Sequence, residues 1–218
     1  MGSIRQEMSK KKRKNRPRKY NKNFQLLSYN ITEEPVEDKY TKQIPKKIID
    51  QIQDFQEKIN LKPKEMIPQL VGYTKKYPNA PLFYNYLSAA YAKAGDIKKC
   101  ESTILENIKK HPDYLFAKLN YADICLRKGE PEKVPEILNH KLDLKLMYPK
   151  RSTFHISEFV GFTSIMCKYY NAVGERKAAE LLFKNLKQIA PEHAATKQIK
   201  RVLYPSLIGR IFNKFRKE

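Results

Sequence analysis

From Pro45 onward, apolar residues return along this chain at steps of three and four. Ile48, Ile52, Phe55 and Ile59 fall on one face of a predicted helix. A second helix is predicted after Pro63, on Met66, Ile67, Leu70 and Val71, and ends at Pro78-Asn79. Pro63 suits a first helical turn, where no amide proton is required. Pro68, one turn in, is tolerated there and not later. Tyr84, Leu87, Ala90 and Tyr91 mark the next helix and Gly95-Asp96 a turn. Ile97, Cys100, Ile104 and Leu105 then mark a partner helix closed by His111-Pro112. The layout returns at 115–140, with Tyr121, Ala122 and Cys125, then Gly129-Glu130, then Val134 and Leu138. It returns again at 160–193, with Met166, Cys167 and Tyr170, then Gly174-Glu175, then Ala178, Ala179 and Phe183, closed by Pro191.

A recurring unit of about 34 residues means helix pairs that stack, because one pair cannot bury its own apolar face. In residues 81–114, Tyr84, Leu87, Ser88, Tyr91, Gly95, Cys100, Ile104 and Pro112 alternate bulky, small, aromatic, turn and closing residues in a set order. Cys167, Tyr170, Gly174, Ala179, Phe183 and Pro191 repeat that order, with Thr163 departing at the first bulky position. Tyr121, Ala122, Gly129 and Leu138 repeat it more loosely; this unit departs at Lys118 and has no closing proline. Residues 47–80 fit as a degenerate leading unit through Met66, Leu70, Tyr73 and Pro78. The pattern resembles the tetratricopeptide repeat (TPR) family over roughly 45–193.

The resemblance implies an all-α fold: a right-handed α-solenoid of three to four helix-turn-helix repeats with a C-terminal capping helix. It also implies a non-catalytic scaffold that holds a protein or peptide in a concave groove lined by the first helix of each repeat. Carried onto this chain, the groove residues are Asn85, Lys93, Asn120, Asp123, Arg127 and Lys168, with Ala89, Ala92, Leu119, Leu126, Ser164 and Asn171 on the same faces. Some relatives grip acidic chaperone tails with a two-carboxylate clamp. At those positions this chain has Asn85, Ala89, Asn120, Gly161 and Ile165, and only Asn120 agrees, so no such clamp is expected.

The rest of the chain divides around that array, with units at about 47–80, 81–114, 115–140 and 160–193. Residues 1–23 read as a disordered basic tail and 24–44 as a linker. Residues 141–159 read as a loop insert, in which Ser152-Thr153 is expected to cap the following helix. Residues 194–218 read as basic amphipathic capping helices, the last beginning at Pro205-Ser206.

Charge sharpens this division. The chain carries 44 Lys and Arg against 23 Asp and Glu, a formal net charge of +21. Residues 1–23 hold +9 of it and residues 197–218 hold +6. Lys10, Lys11, Lys12, Arg13, Lys14, Arg16, Arg18 and Lys19 form the densest tract. Three uses stay open for it: neutralising the phosphates of a nucleic acid or other polyanion, a nuclear address in a eukaryote, or solubility. The runner-up function is therefore a nucleic-acid- or ribosome-associated protein anchored by its tails. The basic amphipathic face of 205–218 also suits an anionic membrane surface.

Candidate chemistry is sparse. His111, His140, His155 and His193 lie at no metal-ligand spacing. Glycine-rich phosphate loops and nucleophile elbows are missing. Cys100, Cys125 and Cys167 fall at small-residue helical positions and read as buried hydrophobes in a reducing, cytoplasmic setting. No enzyme activity, cofactor, metal or small-molecule substrate is expected. No secretory signal or membrane-spanning run is read in the sequence.

Overall fold

A computed structural model describes residues 29–36, 39–52 and 54–205. The basic tract at 10–19 and the expected last helix over 206–218 lie outside the described residues. Within them the chain is mostly helical, with eleven helices and one two-stranded sheet. Strand β1 is Asn30–Thr32. Helices α1 (Lys46–Ile52), α2 (Phe55–Leu61) and α3 (Pro63–Lys76) follow. Then come α4 (Pro81–Ala94), α5 (Ile97–Lys110), α6 (Leu115–Arg127), α7 (Lys133–Ile137) and α8 (Leu144–Met147). Strand β2 (Thr153–His155) leads into α9 (Ile156–Ala172), α10 (Arg176–Ile189) and α11 (Ala194–Leu203).

Three turns share one geometry. Gly95, Gly129 and Gly174 have φ of 83°, 77° and 84°. This left-handed conformation is costly for residues with a Cβ and cheap for glycine. In each turn the amide after the glycine bonds back into the preceding helix. Asp96 donates to the Tyr91 carbonyl at 2.9 Å, Glu130 to that of Cys125 at 2.9 Å, and Glu175 to that of Tyr170 at 2.8 Å. Orphan carbonyls at three helix ends are thereby satisfied in the same way. The turns fold α5 against α4, α7 against α6 and α10 against α9.

Small residues sit where helices approach closely: Ala90, Ala122, Cys125, Cys167 and Ala179 are buried. A Cβ on Gly161 of α9 would stand 3.2 Å from Leu119 Cδ1 of α6. The apolar faces collect in two main cores. One joins α2, α3 and α4 through Phe55, Ile59, Leu70 and Phe83. The other joins α6, α9, α10 and α11 and reaches Leu144 and Phe154 outside the helix pairs. Cys100, Ile104 and Ile124 pack between α5 and α6.

Several local expectations change. The stretch from 45 to 59 holds two helices, α1 and α2, of which α2 docks on α3 and α4. The second helix of the middle pair, α7, spans only five residues. Asn139 and His140, with φ of 54° and 57°, turn the chain away after it.

Residues 141–159 are not a plain loop. Asp143 caps α8, its Oδ1 accepting from Lys145 N at 2.7 Å, and Leu144 is buried while Leu146 is exposed. Downstream, β2 pairs in parallel with β1, setting Ile31 opposite Phe154. Part of the expected 24–44 linker is thus one strand of a sheet. Helix α9 begins only at Ile156, after β2, so Ser152 and Thr153 lie too far upstream to cap it. His155 does so: its Nδ1 accepts from Ser157 N at 3.2 Å, and Glu158 Oε2 accepts from His155 N at 2.9 Å.

Candidate binding groove and the cleft beside it

Helices α4, α5 and α6 enclose a groove of about 570 Å³. Its walls include Tyr86, Ala89 and Ala92 of α4 and Asn120, Asp123 and Arg127 of α6. Asn85 lies on its floor and is the hub of a polar network rather than a free contact. Asn85 Oδ1 accepts from Asn107 Nδ2 and Asn120 Nδ2, each at 3.1 Å, and Asn85 Nδ2 donates to the Tyr114 hydroxyl at 3.4 Å. One residue from each of α4, α5 and α6 thus meets at a single amide oxygen.

Asn107 is 1% exposed, and its amide orientation is dictated by its neighbours. Nδ2 also donates to the Pro81 carbonyl at 3.2 Å, so Oδ1 must face His111 Nδ1 at 2.9 Å. The other ring nitrogen of His111 faces the Pro78 carbonyl at 3.1 Å. Burial holds the His111 imidazole below its ordinary pKa, and the oxygen neighbours pull against that shift without overcoming it.

The charged groove residues are largely paired. Asp123 accepts from Lys168 Nζ at 2.7 Å and sits 3.2 Å from Arg127 Nε. Lys168 therefore ties α9 to α6 and does not line the groove. Lys93 is exposed on α4 and is not among the lining residues. Leu119 and Ser164 are buried and Asn171 accepts from Arg176 Nη1 at 3.1 Å, so these three face protein rather than an open groove. Asn85, Ala89, Ala92, Asn120, Asp123 and Arg127 are brought together on it.

Tyr114, Phe116 and Ser157 also form the edge of a second, larger cleft of about 770 Å³, lying between α6, α7, α8 and the start of α9. Tyr40, Tyr114, Phe116 and Tyr148 supply rings, and Lys118 supplies a cation. Tyr148 donates its hydroxyl to the Asp113 carbonyl at 3.0 Å. Arg151 forms a two-bond pair with Glu158, at 2.9 and 2.6 Å, and stacks its guanidinium 4.4 Å from the Phe154 ring centre. Lys118 is 6% exposed, and its Nζ donates to the Ile137 carbonyl at 3.2 Å. Burial pushes its ammonium below the ordinary lysine pKa. This cleft is absent from the sequence-level groove, but it had a signal: Lys118 stands where the repeat pattern asks for a bulky apolar residue.

At the edge of the cleft Ser157 Oγ stands 2.7 Å from His155 Nδ1, within the turn that caps α9. Burial pushes the Cys167 thiol up to about 12 and raises Cys100 and Cys125 as well, so all three remain thiols near neutral pH. Among the described residues no group of three or more His, Cys, Asp or Glu could hold a metal ion. Nor is any helix among them long and apolar enough to cross a membrane. Comparison with known protein families, curated proteins and solved structures finds no match to this chain.

Proposed function

We propose that this chain is a non-catalytic scaffold of the tetratricopeptide type, a short right-handed helical solenoid that holds a polypeptide partner. The observation that carries this reading is the groove across α4 and α6. Its wall residues Asn85, Ala89, Ala92, Asn120, Asp123 and Arg127 are the first-helix positions that such scaffolds present to their partners. The groove has exposed apolar positions, such as Ala92, beside an exposed cation, Arg127, whose pair with Asp123 leaves its guanidinium half open to solvent, which suits an extended chain carrying apolar and acidic residues.

The test fills the groove. Ala92 is exposed and lines it, so Ala92→Trp should block access without touching a core. A partner captured by wild type from nuclease-treated native lysate should be lost by Ala92→Trp and by Arg127→Glu, and kept by Lys93→Ala. Retention by the blocked variant would overturn the reading.

The charge in the two tails favours a second reading: anchorage on nucleic acid or the ribosome, with the repeats as an accessory platform. Removing residues 1–23 should then abolish binding and flatten its salt dependence. Unchanged affinity would sink that alternative. A membrane role for 205–218 is tested by flotation with anionic liposomes against a chain ending at Tyr204.

A further inference from the structure

The cleft beside the groove contains an arrangement that a structural role does not account for. A lysine buried to 6% exposure normally faces a carboxylate, because an unpaired buried ammonium is costly. Lys118 has no ion-pair partner among the described residues. Its ammonium carries three donors, and one is used, on the Ile137 carbonyl at 3.2 Å. Of the other charged groups at the cleft, Arg151 is held by Glu158 at 2.6 Å. Asp113 is exposed, and its charge acts on the Lys118 ammonium without forming an ion pair with it. Lys39 and Lys141 stand on the rim and add positive charge. Among the described lining residues Lys39, Lys118, Lys141 and Arg151 outnumber Asp113 and Glu158, and the most buried of these cations, Lys118, has unused donors.

The surroundings of that cation are apolar and aromatic. Tyr40 and Tyr114 meet edge to face at 5.3 Å, and Phe116 continues the row 5.7 Å from Tyr114. Tyr148 and Met147 form the opposite side. A volume of about 770 Å³ lies within the range of small-molecule sites. A monoanion would neutralise Lys118 one for one.

We infer that this cleft is a binding site for a carboxylate borne on an aromatic or aliphatic group, with Lys118 as the charge anchor and the Tyr40–Tyr114–Phe116 row as the apolar wall. The carboxylate comes either from a free organic acid or from an acidic side chain next to an aromatic one in a peptide. In the second case the peptide reaches the cleft from the groove, because Tyr114, Phe116 and Ser157 border both cavities.

The experiment uses the full chain and phenylpropionate as probe, with its neutral isostere phenylpropionamide as control, followed by ligand-observed NMR titration. Wild type should bind the acid roughly tenfold or more tightly than the amide. In Lys118→Met, which keeps length and removes charge, that preference should vanish, with folding verified by circular dichroism. The exposed-lysine variant Lys93→Met should retain the preference, which separates the cleft from general attraction to a basic protein. Equal binding of acid and amide by wild type would overturn the proposal without recourse to any variant. So would an acid preference that survives Lys118→Met. The peptide acetyl-Gly-Glu-Phe-Gly-amide distinguishes the sources: tighter binding than phenylpropionate that is lost in Lys118→Met points to a peptide. Ala92→Trp separates this site from the groove reading, since it blocks the groove and should leave phenylpropionate binding unchanged.

Discussion

Replacing Asn107 with alanine tests the interior of the groove most directly. Asn107 makes three hydrogen bonds, to the Pro81 carbonyl, to Asn85 Oδ1 and with His111 Nδ1. At about 1 kcal/mol net for each, the variant should lose about 3 kcal/mol of stability. For a body of this size that corresponds to a fall in Tm of roughly 6–12 °C. Urea unfolding followed by circular dichroism measures the free energy, and a thermal scan gives the shift. Asn85→Ala removes three bonds from a half-buried residue, so about 2 kcal/mol is expected. The two residues share one bond, the 3.1 Å contact from Asn107 Nδ2 to Asn85 Oδ1. The double variant should therefore be milder than the sum by about 1 kcal/mol. A loss below about 1 kcal/mol for Asn107→Ala, or strict additivity in the cycle, would refute the claim that this network joins α4, α5 and α6.

Three further outcomes are expected. The folded-state pKa of His111 is depressed by burial, so the native state binds fewer protons than the unfolded chain below the ordinary imidazole value of about 6.5. The stability advantage of wild type over His111→Gln should be full above that pH and shrink as the pH falls below it, as read from urea midpoints; a constant difference would refute the assignment. Gly95→Ala and Gly129→Ala meet open space but left-handed backbone, so each should cost about 1 kcal/mol in urea unfolding, and a gain in stability would contradict the turn geometry. Phe154→Ala empties a fully buried site between Tyr29, Tyr148 and the Arg151 guanidinium. It should cost about 3–5 kcal/mol and open the chain near residue 29 to proteolysis, and unchanged protease resistance there would count against the role of β2 in pinning β1.

Much of this architecture was legible in the sequence because its causes are local. Apolar steps of three and four residues locate α3, α4, α5, α6, α9 and α10, and a glycine after the last helical turn locates three reversals, since only glycine takes that backbone cheaply. The burial of Cys100, Cys125 and Cys167 follows from the same periodicity. Helix length in the middle pair was less legible: α7 spans five residues and is followed by two consecutive left-handed residues, Asn139 and His140, neither of them glycine.

Other features depend on residues far apart in the chain. Asn30 pairs with Thr153 across a sequence gap that three-residue strands, too short to show alternation, do not announce. Asn85 and Lys168 sit at groove positions by sequence. Packing gives Asn85 to Asn107 and Asn120, and gives Lys168 to Asp123, because buried amides and half-buried charges must find partners. Lys118 is the sharpest case. The sequence marks it as a departure from an apolar pattern, and only the packing of α6 against α7 makes it a buried cation at the wall of a cavity. Periodicity selects which face of a helix is buried. What that face meets is decided by the assembled chain, and the chemistry of the groove and the cleft lies in those meetings.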